Sequence, residues 1–210
     1  MKSIVFAALA LLLGAAPLPP QTITPTAGTQ RVVLAGGCFW GMQLVFESLK
    51  GVKSAVAGYS GGSSLTAHYE VVSTGATGHA ESVLVTYDPS VISFSKLLDV
   101  YFTVAHDPTE LNRQGPDDGT QYRSEIYYTT DAQRQEALAY IAKLTREHKF
   151  SSPIVTKVES FRGFYAAEDY HQNYALHNMN DPYIVMNDLP KLHNLHQDFP
   201  QLVKTGTPTP

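Results

Sequence analysis

The chain has 210 residues and a formal net charge of −4 at neutral pH. That length suits one ordinary domain with a real core, and the lack of any block of like charge argues against a nucleic-acid surface or a special pull toward anionic membranes. One cysteine in the whole chain rules out an intramolecular disulfide in any compartment. In chain order, Met1-Lys2-Ser3 leads into an apolar run from Ile4 to Leu13 and then Gly14-Ala15-Ala16. A basic start, a short apolar core and small residues predict a secretory signal peptide over residues 1–16, hence a secreted or periplasmic protein. The run is too short to span a bilayer comfortably. A buried N-terminal helix is the competing reading, and Pro17, Pro19 and Pro20 directly after it count against that. Residues 17–30, rich in Pro, Thr and Gly, are expected to form a flexible linker, 31–204 a single domain, and 205–210 a loose tail.

Within the domain the patterns predict strands at 31–35, 52–58, 80–87, 124–129 and 154–159, and helices at 38–49, 93–104 and 131–148. The order βαββαβ, followed by αβ, fits an α/β (α+β) two-layer sandwich. Helices would cover one face of a mixed, mostly antiparallel sheet with a ferredoxin-like core. Residues 106–123 form a long polar stretch with Pro, Gly and Asn, and loops of that length are usually functional or disordered.

The only cysteine and the only tryptophan stand together in Gly36-Gly37-Cys38-Phe39-Trp40-Gly41, between an apolar strand and a helix. A thiol at such a turn meets the first N–H groups and the positive end of the helix dipole, which favour thiolate. Flanking glycines admit another molecule, and Phe39 and Trp40 offer an apolar aromatic surface beside the sulfur. The opposing reading is a small buried hydrophobe. Taking Cys38 as the start, Met42, Val45, Phe46 and Leu49 share one stripe, with Phe39 at its edge and Trp40 nearly opposite. Trp40 is therefore not plainly the helix's own core contact.

Along the strand at 80–87, Glu81, Val83, Val85 and Tyr87 share one face. A carboxyl extending an apolar row is disfavoured as an anion and becomes able to donate a proton; alternatively it turns to water or pairs with an arginine. With 12 tyrosines and 8 histidines in the chain, composition singles out none of either. His193 and His196 are spaced for one helical face and His171 and His177 lie near in sequence. No second cysteine or tight carboxylate cluster completes a ligand set, so no metal is expected. The Gly-Gly pairs 36–37 and 61–62 lack phosphate-binding spacing. Nothing in the spacing makes His79, His106 or Asp107 a base or orienter for Cys38, as a hydrolase would need.

Gly37-Cys38-Phe39-Trp40-Gly41 resembles the signature of peptide methionine sulfoxide reductase A. Further blocks resemble the same family in order: Gly58-Tyr59-Ser60-Gly61-Gly62, Thr77-Gly78-His79-Ala80-Glu81, Tyr87-Asp88-Pro89, His106-Asp107-Pro108-Thr109, Asn112-Arg113-Gln114-Gly115, Gly119-Thr120-Gln121-Tyr122-Arg123-Ser124 and Ala167-Glu168-Asp169-Tyr170-His171-Gln172. The similarity covers roughly residues 31 to 182. It implies a two-layer α/β fold and thiol-dependent reduction of methionine S-sulfoxide, free or in proteins, in a catalytic domain over 31–204. It implies Cys38 as nucleophile and Glu81 as acid, with Phe39, Trp40, Tyr69, Asp117 and Tyr122 as substrate-binding residues; Asp118 is a rival for the duty of Asp117. Many relatives carry further cysteines near the C-terminus that resolve the sulfenic acid, and this chain has none. An external thiol is therefore expected as reductant (a thioredoxin-like protein, a glutaredoxin system or a small thiol), with no bound cofactor and a monomeric enzyme. A thiol peroxidase, a cysteine hydrolase, or a module that binds methionine segments through Phe39 and Trp40 are the other classes left by the residues themselves.

Overall fold

The computed structural model describes residues 27–209; the expected signal peptide and most of the linker lie outside them. The run Val32-Val33-Leu34-Ala35 is buried from end to end and forms β1 (Gln30–Ala35), as a strand covered on both faces requires. Its Gly36-Gly37 exit leads into α1 (Phe39–Glu47), shorter than the expected 38–49 because Ser48 closes it. Met42, Val45, Phe46 and Leu49 are all fully buried, as their shared stripe demands. β2 (Val52–Ser60), the single turn α2 (Tyr69–Val72) and β3 (Ala80–Tyr87) follow.

The Ser93 hydroxyl accepts the Lys96 N–H at 3.2 Å and starts α3 (Phe94–Val100). The expected helix to 104 instead widens over Tyr101–Ala105 into a π turn, which brings the neighbouring Tyr101 and Phe102 both inward. The long polar stretch holds a small hairpin, β4 (Arg113–Gln114) and β5 (Asp117–Asp118). Then come β6 (Glu125–Tyr128), α4 (Asp131–Arg146) capped by the Thr130 side chain, β7 (Lys157–Ser160) and β8 (Phe164–Ala166). β7 starts later than the expected 154 because the Val155 N–H is drawn to the Pro108 carbonyl at 2.9 Å. β8 has three residues, too few for a periodic signal.

The main sheet runs β7-β6-β1-β3-β2-β8, antiparallel throughout except for the parallel β6–β7 pair. Its inner four strands take the order expected of a ferredoxin-like βαββαβ core. Only residues 161–163 separate the two edge strands in sequence. A linker of that length reaches at most about 14 Å, whereas a flat sheet of this width would span roughly 24 Å. The sheet must curl, and the Tyr127 hydroxyl duly reaches the Ser60 carbonyl of β2 at 3.3 Å.

The main core lies between the sheet and the helices. A smaller cluster of Val33, Ala35, Ala80, Leu84, Tyr127 and Phe164 fills the other face. The sequence leaves the role of residues 183–204 open; beyond residue 172 the chain forms α5 (Tyr174–His177), α6 (Pro182–Asn187) and α7 (Leu189–Asp198). Ala175, Ile184, Leu192 and Leu195 bury them in the main core, with α5 and α7 against α1. The tail expected to be loose is tied back, since His196 Nε2 donates to the Pro208 carbonyl at 2.9 Å.

Candidate active site

The Cys38 turn depends on Gly37, whose φ of +95° favours glycine. A Cβ there would lie 2.5 Å from the Gln114 side chain, which is anchored by the backbone N–H and carbonyl of Asp107. Gly37 thus lets the 106–123 stretch close over the turn. Cys38 is the N-cap of α1 and retains 8 % exposure. The antiparallel register pairs Leu34 with Val83, and continuing it sets Glu81 opposite Gly36, beside that turn. Glu81 Oε2 accepts the Phe39 N–H at 3.1 Å, so a carboxyl occupies the N-terminus of α1 next to the sulfur.

Glu81 is nearly solvent-free, and no cation pairs with it among the described residues. Burial pushes its carboxyl from the ordinary range up to about 8; Asp117 adds to the rise and the Phe39 N–H opposes it. Of the two readings the strand pattern left open, this environment favours the protonated acid. The thiolate expected at Cys38 is not favoured. Burial first, then Glu81 and Asp188 whenever they are ionised, push the thiol well up, outweighing the Trp40 N–H and Lys191. The helix terminus is present, but desolvation is the larger effect.

The predicted aromatic residues do gather here. Phe39 is buried against Tyr59 and His171, with ring centroids 5.8 and 5.0 Å away. Half-buried Trp40 stacks on Tyr174 at 3.9 Å and meets the edge of Tyr183 at 5.9 Å. Its indole N–H donates to His171 Nδ1 at 3.1 Å, so His171 is neutral with its proton on Nε2, and burial lowers its basicity. Tyr69 lies on the His171 ring at 4.4 Å, and its backbone N–H donates to Glu168, which also accepts the Tyr59 hydroxyl. Tyr122 feels Glu81, Asp117, Cys38 and Tyr69 and is held well above the usual phenol range, burial being the main cause. Asp117 accepts the Tyr183 hydroxyl at 2.5 Å, while its rival Asp118 points to solvent.

Sequence reasoning missed Glu168, Tyr174, Tyr183, Asp188 and Lys191. Glu168 and His171 lie in a block already singled out by the resemblance; nothing in the spacing of α5 to α7 marked Tyr174, Tyr183, Asp188 or Lys191 as site residues. His79 and His106 are used up structurally. His79 Nδ1 accepts the Gly62 N–H and its Nε2 donates to the Ser63 carbonyl. His106 donates to the Tyr101 carbonyl and accepts from Ser124, and burial pushes it down to about 4. Neither serves Cys38 as a base.

The sequence pattern of the peptide methionine sulfoxide reductase family matches residues 30–202. The chain belongs to the peptide methionine sulfoxide reductase A family. It is 55 % identical over 175 residues to peptide methionine sulfoxide reductase MsrA 2 of Mesorhizobium japonicum, covering 83 % of this chain and 90 % of that protein. Reduced Mxr1 of Saccharomyces cerevisiae is similar in structure, with a TM-score of 0.70 and 34 % identity over 77 % of this chain and 93 % of that one. Mxr1 in complex with Trx2 also matches, at TM-score 0.52 and 26 % identity, covering 73 % of this chain and 91 % of that chain. The enzyme is a peptide-methionine (S)-S-oxide reductase, an oxidoreductase that uses thiols.

Proposed function

We propose that this reductase works through a sulfenic acid on Cys38, with Glu81 as the proton donor and an external thiol as the resolving partner. The observation that carries it is a lone thiol and a buried carboxyl without a cation partner meeting at one helix N-terminus, with the Phe39 N–H donating to Glu81 Oε2 at 3.1 Å. Phe39 and Trp40 receive the small apolar methyl group of the substrate. Tyr69 and Tyr122, phenols that stay protonated, donate to the sulfoxide oxygen, and Asp117 orients the polar side of the pocket through Tyr183.

Sulfoxide oxygen leaves poorly unless protonated, which is why an acid rather than a carboxylate is needed. The Cys38 sulfur attacks the sulfoxide sulfur, and the oxygen takes one proton from Glu81 and the thiol's own proton and leaves as water. Water then adds to the Cys38 sulfur, breaks the S–S bond to release methionine, and returns a proton to Glu81. Methionine sulfoxide and Cys38 thiol become methionine and Cys38 sulfenic acid. Two external thiols then restore the Cys38 thiol and yield a disulfide and water. A thioredoxin-type reductant is the first choice, given the Trx2 complex of Mxr1. The basic-apolar-small start of the chain supports export, and the reductant would then work in a secreted or periplasmic, oxidising space. The enzyme acts as a monomer on oxidised proteins or peptides.

The test is one turnover without reductant on the two separated sulfoxide epimers, followed by mass spectrometry. Stoichiometric methionine from the S epimer with one added oxygen on Cys38 is expected. Methionine without oxygen on Cys38 would reject the mechanism.

A further inference from the structure

The C-terminal helices bring a buried ion pair to the turn that carries Cys38. Asp188, the N-cap of α7, is wholly excluded from solvent and binds Lys191 Nζ through Oδ1 at 3.1 Å. Its second oxygen, Oδ2, has no hydrogen-bond partner. The pair presses on Gly41 in the first turn of α1: a Cβ there would overlap Asp188 Oδ1 and lie 2.9 Å from Lys191 Nζ. A buried pair with an unsatisfied oxygen is a poor source of stability, because the loss of hydration rivals the attraction. Its position suggests another use. We propose that Lys191, held by Asp188, is a positioning residue that steadies the anionic Cys38 sulfur as it attacks, and that Asp188 tempers this charge in the resting site.

The proposal rests on Cys38 being the nucleophile. The groups whose charge is felt at Cys38, or that feel the charge of Cys38, are Glu81 of β3, Asp188 at the start of α7, Lys191 of α7, the Trp40 N–H of α1, Tyr69 of α2, Tyr183 of α6 and Tyr122 before β6. The carboxylates and phenols oppose a sulfur anion; Lys191 favours it. Lys191 also acts on Asp117, so its charge is felt at a second site group besides Cys38. The two partners act on Cys38 with opposite sign, so replacing each in turn moves the thiol in opposite directions if their charges reach the sulfur.

Because the chain has one thiol, the rate of iodoacetamide alkylation against pH reports Cys38 alone. Lys191→Met is expected to raise the midpoint by about one unit, making alkylation near pH 7 roughly tenfold slower. Asp188→Asn is expected to lower the midpoint, and Lys191→Arg to leave it near wild type. Midpoints that shift in the same direction, or do not shift, in variants with unchanged circular dichroism would overturn the proposal. If Asp188→Asn does not fold, the contrast between Lys191→Met and Lys191→Arg decides: equal midpoints overturn it. Sulfoxide reduction by the wild type is measured alongside. Loss of the alkylation contrast with reduction intact rejects this inference alone, whereas a wild type without reduction rejects the functional reading.

Discussion

Glu81 on β3 and Glu125 on β6 are both almost excluded from water, at 2 % and 4 % exposure, on the two strands that flank β1. Glu125 pairs in register with Ala35, and Glu81 falls opposite the next residue, Gly36, so the two carboxyls leave the same end of the sheet toward opposite faces. On the back face, Glu125 accepts from Arg123 Nε at 2.6 Å and from the Tyr127 hydroxyl at 2.7 Å. On the front face, Glu81 has a backbone N–H and an adjoining thiol. One glutamate is a brace whose charge is matched. The other is buried without a cation, and that uncompensated burial is what keeps a proton on it for delivery.

The sharpest way to break this contrast is to remove each acid in turn. Glu81→Gln should slow single-turnover methionine formation by about 10²–10⁴, the range of a general acid; an unchanged rate would mean the proton comes from elsewhere. Glu125→Gln should instead leave Arg123 short of its partner and cost about 3–5 kcal/mol in urea unfolding, as breaking a buried pair does. The rate constant of the folded fraction should stay near wild type. A rate loss like that of Glu81→Gln in a well-folded Glu125→Gln protein would erase the distinction.

Titration sharpens it further. The folded-state acid of Glu81 sits at about 8, above its ordinary 4.5, so folded protein holds this proton more tightly than unfolded chain. The stability linked to it is fully present below pH 4.5 and is lost as pH rises through 8, on the order of a few kcal/mol. Wild type should therefore lose stability relative to Glu81→Gln across that window, measured by denaturant unfolding at several pH values. A parallel pair of curves would show that the carboxyl is not held neutral. The single-turnover rate should likewise fall above about pH 8, a limb absent in Glu81→Gln. The smallest effect is expected for Tyr122→Phe, about tenfold in the single-turnover rate for one lost hydrogen bond to oxygen. A drop in binding alone, with the rate constant unchanged, would make Tyr122 a wall of the pocket rather than a donor.

Much of the framework was readable in advance because it rests on local periodicity. The buried run of β1, the stripe Met42-Val45-Phe46-Leu49 and the inward row of Glu81, Val83 and Val85 each follow from spacing of two or about 3.6 residues. Failures came where local pattern loses control. The π turn at Tyr101–Ala105 interrupts a helix without any breaker residue, and β8 owes its existence to pairing with Gly58, Tyr59 and Ser60. α5 and α6 have four and six residues, too few for a periodic signal, and what fixes them is packing of α5 on α1 and of α6 on α7.

The amino-acid order alone determined where the reactive turn lies, which strand carries Glu81 in line with an apolar row, and that no second thiol exists in the chain to resolve Cys38. Those facts are local or compositional. Only the tertiary structure decided which buried glutamate received the arginine, that burial holds the Cys38 thiol protonated at rest, and that Trp40 is oriented by His171, 131 residues away. Desolvation and charge pairing depend on what packs around a group in space, and chain spacing carries no record of that.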